Sequence, residues 1–264
     1  MVHAYYRPET LEEAQMLLER EKDARLLAGG SYLLSPQFRD IPMSAIAVSG
    51  LLPHSIERRE ESLLIGAGVR FQDLADSALI PEALKHAALG MANRNVRNRA
   101  TVGGNIGADR SCSSLLPFFF AAEAVYHRAG LNPISAELWR EKPSGIITAV
   151  ELALPEGRAF AYGKYSRSAC DLALIGCAVR ADLGSGRLDN LRIALGGLSA
   201  HVKRFPGLEV LLEGKAVPPR AELEAMAASC FSPIDDLRGS AAFKRRRAAV
   251  LVADLVGSLK EQCA

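Results

Sequence analysis

Val96-Arg97-Asn98-Arg99-Ala100-Thr101-Val102-Gly103-Gly104-Asn105-Ile106 is the most distinctive run in this 264-residue chain. Its first half is polar and rich in arginine, and its second half reads as a tight glycine turn. Adjacent glycines present backbone N–H groups with no Cβ in the way, which suits anionic oxygens. Thr101 and Asn105 add a hydroxyl and an amide. A similar turn, Ala28-Gly29-Gly30-Ser31, follows the short strand signal Arg25-Leu26-Leu27-Ala28, and Ser31 adds another hydroxyl. Two such turns could grip the two phosphates of one dinucleotide. Taken singly, either Gly-Gly pair is first an ordinary tight turn. Neither fits G-x-G-x-x-G between a strand and a helix, which excludes a Rossmann site.

Around these turns the chain mixes helix and strand. Thr10-Leu11-Glu12-Glu13 is a capping box, with Thr10 as N-cap and Glu13 returning the bond. Leu11, Ala14, Leu17 and Leu18 then recur at helical spacing. Strands are expected at 25–28, 63–65, 146–154, 172–181 and 191–195. Pro81 opens a short helix that Gly90 stops, and Pro117 is tolerable only in the first turn of a helix over 115–122. Gly184-Ser185-Gly186 marks a turn. Phe243, Arg247, Val250, Leu251, Asp254, Leu255 and Leu259 outline an apolar stripe on a terminal helix, with Lys244-Arg245-Arg246-Arg247 on its exposed side. Strands and helices without regular βαβ alternation point to the α+β class, with a domain boundary around 156–163.

Apolar residues at 49% and charged residues at 23% are ordinary for a globular protein with a buried core. Lysine and arginine total 32 against 30 acidic residues, and a net charge of +2 carries no nucleic-acid footprint. No apolar run approaches the roughly 18 residues of a membrane span. Met1-Val2-His3-Ala4-Tyr5-Tyr6-Arg7-Pro8 lacks an apolar signal core, so a cytoplasmic location is expected. Cys112, Cys170, Cys177, Cys230 and Cys263 are irregularly spaced with no C-x-x-C pair. They read as free thiols, so any iron–sulfur cluster must belong to another chain. Without a G-x-S-x-G elbow or an H-x-x-x-H pair, no catalytic residue and no metal ligand is assigned. Arg94, Arg97 and Arg99 could meet phosphate or a partner's acidic face, or equally form a solvated loop. Cys112 reads as a packed thiol and Trp139 as structural. The residues alone reach a two-part α+β protein with a candidate diphosphate site, and not a flavin.

The order and spacing of these pieces resembles the FAD-binding medium subunits of the xanthine dehydrogenase and carbon monoxide dehydrogenase family, over nearly the whole chain. Ala28-Gly29-Gly30-Ser31-Tyr32-Leu33-Leu34 resembles the family's first phosphate turn, and the run from Val96 to Ile106 its most specific signature. Lys164-Tyr165-Ser166-Arg167 resembles the entry to its C-terminal domain, and Asp235-Asp236-Leu237-Arg238-Gly239-Ser240 its C-terminal end.

The resemblance implies a PCMH/VAO-type FAD-binding domain over 1–158, in two α/β lobes of about 1–52 and 53–158. A smaller CO-dehydrogenase-flavoprotein-type α+β domain follows over 159–264. FAD is expected to bind non-covalently. By position, Arg25, Leu26, Leu27, Ala28, Gly29, Gly30, Ser31 and Tyr32, with Thr101, Val102, Gly103, Gly104 and Asn105, would cradle the diphosphate region. Ile147 would approach the flavin through its backbone. Lys164 and Asp171 would lie close to the isoalloxazine ring, and Met91 beside it. A positive Lys164 near the ring would stabilise reduced, anionic flavin.

The resemblance also implies partners: a molybdopterin-binding large subunit and a [2Fe-2S] small subunit. Electrons would pass from the clusters through FAD to NAD or another acceptor. One departure stands out. Many relatives carry an aspartate where this chain has Ser114, after the unusual Gly107-Ala108-Asp109-Arg110-Ser111-Cys112-Ser113. A free-standing flavin oxidoreductase, or a non-catalytic homologue that has lost FAD, are the alternative readings.

Overall fold

The computed structural model describes residues 1–182 and 186–259, which form three sheets over two hydrophobic cores. Gly184 and Ser185 of the expected turn, and Cys263, lie outside the described residues.

Thr10 caps the helix Leu11–Arg20 by accepting from the Glu13 N–H at 3.1 Å. The Glu13 carboxylate returns to the Glu9 N–H, one residue earlier than the expected capping box. This helix buries Ala14 and Leu17. It belongs to a parallel three-stranded sheet with Met43–Ala47 between Val2–Tyr6 and Ala24–Leu27. Parallel neighbours need crossover connections, and the connection leaving Ala24–Leu27 carries the first glycine bend.

A five-stranded antiparallel sheet follows, ordered Ile56–Arg58, Ser62–Gly66, Ile147–Ala153, Val125–Arg128, Leu131–Ser135. The helix Glu82–Leu89 starts after Pro81 and stops at Gly90. The helix Leu116–Ala121 is buried at every residue and carries Pro117 in its first turn, where no N–H is needed. These elements share the first core with the three-stranded sheet.

The second core lies beneath an antiparallel sheet ordered Lys203–Arg204, Asp189–Gly196, Ile175–Asp182, Arg158–Tyr165. The helices Arg220–Cys230 and Ala241–Leu259 cover it. No helix among the described residues is long and apolar enough to cross a membrane. Cys112, Cys170, Cys177 and Cys230 are free thiols.

Several expectations are corrected. The apolar run at 172–181 becomes strand only from Ile175. The run from Thr101 to Asn105 is not a turn but the start of the helix Val102–Ala108, with Thr101 as its N-cap. Glycine's cost inside a helix is met here by tertiary bonds from the first turn, described below.

The terminal helix is rotated from the expected stripe. Ala248, Ala249, Val252, Ala253 and Val256 are buried with Leu255 and Leu259, while Phe243 is exposed. Small alanines let the helix approach the sheet closely, a packing signal that large apolar residues alone conceal. Lys244 is not on the exposed side. It is fully buried, and its ammonium donates to Asp236 at 2.7 Å and to the Ile234 carbonyl at 3.1 Å. A buried cation persists only with such partners.

The two cores are joined by charge. Glu123, in the turn after Leu116–Ala121, accepts from Arg180 at 2.7 Å, Arg192 at 2.8 Å and Arg204 at 3.1 Å. These arginines come from three neighbouring strands of the second sheet. Arg204 also reaches Glu137 and Glu209. Burial opposes ionisation of Glu123, but bonds from Arg192 and Arg180 outweigh it and hold its carboxyl below the usual range.

Removing the carboxylate leaves the buried Arg180 uncompensated, although Glu123 itself is partly exposed and screened by solvent. Glu123→Gln is therefore expected to cost about 1 kcal/mol in urea unfolding. The depressed carboxyl also sets a sign. Its contribution is complete above the unfolded carboxylate value of about 4.3 and is lost as pH falls through the lower folded value. Glu123→Gln should remove that component of acid destabilisation, measured as the stability difference from wild type between neutral and acid pH.

Candidate functional site

The strand Ala24–Leu27 ends in the first glycine bend, where Gly30 takes a left-handed φ of +68°. The chain then turns through residues 31–34, closed by the Leu34 N–H on the Gly30 carbonyl. Among the described residues, the backbone N–H groups of Gly29, Gly30, Ser31, Tyr32 and Leu33 donate to no protein acceptor. Successive amides in such a bend form a concavity suited to an anion.

The second glycine motif differs. The Val102 N–H donates to the Val69 carbonyl at 3.0 Å and the Gly103 N–H to the Ala67 carbonyl at 2.8 Å. The Gly104 N–H donates to Thr101 Oγ1 at 3.1 Å, and the Asn105 N–H to the Thr101 carbonyl at 2.9 Å. Its backbone donors are therefore spent inside the protein. What it offers is side-chain chemistry. Thr101 keeps its own O–H as a donor. Asn105 accepts through Oδ1 from the Ser113 hydroxyl at 2.5 Å and the Leu115 N–H at 3.3 Å, leaving its Nδ2 donors without a protein acceptor among the described residues.

The two motifs meet through backbone. A Cβ on Gly29 would lie 1.8 Å from the Arg99 carbonyl oxygen, so only glycine permits this approach. Arg99 donates through Nε to the Gly29 carbonyl at 3.3 Å. Arg97 is neither a phosphate ligand nor part of a solvated loop. Its Nε donates to Gln72, and its NH1 to the carbonyls of Met91, Ala92 and Leu89. Both arginines fix main chain.

Between the motifs lies a cavity of about 700 Å³ that also reaches Asp171, Leu172 and Ala173, ahead of the strand Ile175–Asp182. Arg25 to Tyr32, Thr101, Gly103, Gly104, Asn105 and Ser114 line it, with Met91, Ile147 and Asp171 on its other walls. Ser114 is nearly buried there. Two residues of the expected set do not line the cavity. Val102 is fully buried beneath it. Lys164 stands behind the wall. Its ammonium donates to the carbonyls of Gly90, Ala169 and Asp171 at 2.9, 3.0 and 3.1 Å. Gly90 and Asp171 are themselves wall residues, so Lys164 fastens one side of the cavity to the other. Burial lowers its pKa, partly offset by Cys170 and Asp171.

Sequence reasoning missed Arg110. It lines the cavity, donates to the Tyr32 hydroxyl, and holds its guanidinium 5.1 Å from the Tyr32 ring centroid. The one available signal was the unusual run from Gly107 to Ser113. Trp139 and Cys112 also line the cavity. Trp139 is anchored by its indole N–H on the Ser144 carbonyl, and Cys112 accepts from Arg238 at 3.4 Å. Among the described residues, no group of three His, Cys, Asp or Glu side chains could hold a metal ion.

Residues 1–138 match the family described as FAD binding domain in molybdopterin dehydrogenase, and residues 160–259 match the CO dehydrogenase flavoprotein C-terminal domain. The chain belongs to this flavoprotein family. It is 33% identical to the uncharacterised Escherichia coli K12 protein YgfM, over 99% of this chain and 98% of that protein. It is 30% identical to the nicotine 6-hydroxylase medium subunit of Paenarthrobacter nicotinovorans, over 91% of each chain. Among solved structures, the carbon monoxide dehydrogenase of Hydrogenophaga pseudoflava contains a chain that superposes with a TM-score of 0.89 at 27% identity. That match covers 99% of this chain and 98% of the other. The family is one of subunits of oxidoreductase complexes.

The Gly29 contact gives a direct test. Gly29→Ala must displace the Arg99 carbonyl and should cost about 3 kcal/mol, read as a lowered thermal midpoint. Increased hydrogen exchange should be confined first to residues 28–34 and 97–101.

Proposed function

We propose that this chain holds FAD non-covalently as the flavin subunit of a molybdenum hydroxylase of the xanthine dehydrogenase type. The observation that carries the reading is the run of unpartnered amides from Gly29 to Leu33, facing Thr101 and Asn105 across one cavity of about 700 Å³. A pocket of that size suits a dinucleotide cofactor. Donors left without a protein partner suit a diphosphate, since polar groups in a protein interior are otherwise paired. Bound FAD would supply one- and two-electron chemistry, and the protein supplies position and electrostatics.

In this reading, Gly29 to Leu33 bind phosphate oxygens through main-chain N–H groups, while Thr101 and Asn105 Nδ2 donate from the opposite side. Met91, Ile147 and Asp171 frame the ring end. Lys164 acts from behind, keeping Gly90 and Asp171 at a set separation and placing positive charge near the ring. Ser114 contributes a hydroxyl and no charge. The partners are a molybdopterin-binding large subunit and a small subunit carrying [2Fe-2S] clusters. The chain then lies on the electron route from those clusters to NAD⁺ or another acceptor, in the reducing cytoplasm where its free thiols persist.

Purification with native partners, followed by acid release and mass spectrometry of the chromophore, tests the reading. FAD released alongside molybdopterin and iron is the expected result. A colourless protein that takes up no added FAD overturns it. Lys164→Met should weaken FAD retention about tenfold, because the tie that holds Gly90 and Asp171 on the cavity wall is released. It should also lower the flavin reduction potential, since the positive charge that favours anionic reduced flavin is gone.

A further inference from the structure

We propose that Arg110 is a second, charged half of the phosphate site, recognising the diphosphate of the bound dinucleotide together with the amides of Gly29 to Leu33. This rests on the flavin reading above and adds to it a residue whose charge separates a diphosphate ligand from an uncharged flavin.

Arg110 lies in the loop after the helix Val102–Ala108 and forms part of the cavity lining. It is half-buried, and no carboxylate stands within ion-pair distance of it among the described residues. Arg97, Arg128 and Arg238 also have no carboxylate partner among the described residues, but each spends at least two N–H donors on other protein acceptors, whereas Arg110 has the Tyr32 hydroxyl and the cavity before it. Arg158, Arg180, Arg192 and Arg204 are all paired with Asp or Glu. A half-buried cation with no anion and few hydrogen-bond acceptors has lost more solvation than the protein returns, and a ligand anion would complete it.

Its position is nevertheless fixed. The Tyr32 hydroxyl accepts from its NH1, and the Tyr32 ring lies under its guanidinium. Phe38 packs edge-on against the same ring at 4.9 Å, so the platform is itself braced. Tyr32 is thus shared. Its backbone N–H belongs to the row of unpartnered amides, and its side chain carries Arg110. One residue ties five neutral donors to one cation on a single cavity wall. Neutral amides alone would accept a phosphate monoester or a carboxylate. A planar guanidinium beside them favours a second phosphate group, which it can bind through two parallel N–H bonds.

The test compares FAD with riboflavin, which has the same ring system and no phosphate, on the full chain after cofactor removal. Binding is followed by quenching of flavin fluorescence. Arg110→Gln is expected to weaken FAD about 10- to 100-fold, as for loss of a charged hydrogen-bonding partner. Riboflavin affinity should change less than about twofold, which also shows that the variant keeps its cavity. Wild-type FAD affinity should fall with added salt, and that dependence should flatten in Arg110→Gln. Arg110→Lys should recover part of the affinity by restoring charge without the fork. Tyr32→Phe should weaken FAD less than Arg110→Gln, and the double variant should fall short of the sum, because Tyr32 acts through Arg110.

If Arg110→Gln binds FAD as wild type does, with the same salt dependence, the assignment of Arg110 is overturned while the flavin reading stands. If wild type binds neither FAD nor riboflavin, both are overturned. Equal losses for FAD and riboflavin would mean that Arg110 only shapes the cavity, which also overturns the proposal.

Discussion

The contact of Gly29 with the Arg99 carbonyl is the constraint from which the cavity follows. It brings the end of the parallel sheet against the segment that leads into the helix Val102–Ala108, with no side chain between. Once that approach is set, residues 29–33 must arch away from the contact, and their amides lose any route to a protein acceptor. On the other side, Thr101 caps its helix and Val69 and Ala67 take the next two donors. The two glycine motifs therefore have opposite physical states. One is open and donor-rich, and the other is closed and serves as a rigid abutment.

The second core is not a passive neighbour. Glu123 gathers three arginines of its sheet onto the first core, and Lys164 reaches from Arg158–Tyr165 to the end of Glu82–Leu89. Arg238 and His201, both of the second half of the chain, hold Ser111, Cys112 and Asp109. The loop that carries Arg110 is thus gripped on both flanks by the second half of the chain. Wall geometry is a product of both cores, joined by these charged side chains and by apolar contact, since Phe160, Tyr162, Ala178 and Ala194 of the second sheet pack into the first core.

Much of this was legible in the sequence, for identifiable reasons. Thr10, Pro81, Gly90 and Pro117 act through local backbone rules, and each ends or begins a helix where expected. The composition of the cavity wall was also readable, because the Val96 to Ile106 run and the Gly29-Gly30 pair carry the family signature. What escaped is tertiary. Whether a glycine pair is a bend or the first turn of a helix depends on Val69 and Ala67, distant in sequence. Lys244 looks like part of a basic surface run until Asp236 folds back beneath it. Arg110 looks like loop charge until Tyr32 is placed under it. Each miss is a residue whose partner is set by the fold and not by spacing.

The middle sheet has a consequence for biosynthesis. Ser62–Gly66 pairs with Ile147–Ala153, so some eighty residues must emerge from the ribosome before that ladder can close. The parallel sheet needs only the chain up to Ala47 and can form first. During translation of the intervening stretch, the strand Ser62–Gly66 presents one finished hairpin with Ile56–Arg58 and one bare edge. Nascent-chain protection is therefore most needed in that interval, when the edge is available to pair with another polypeptide.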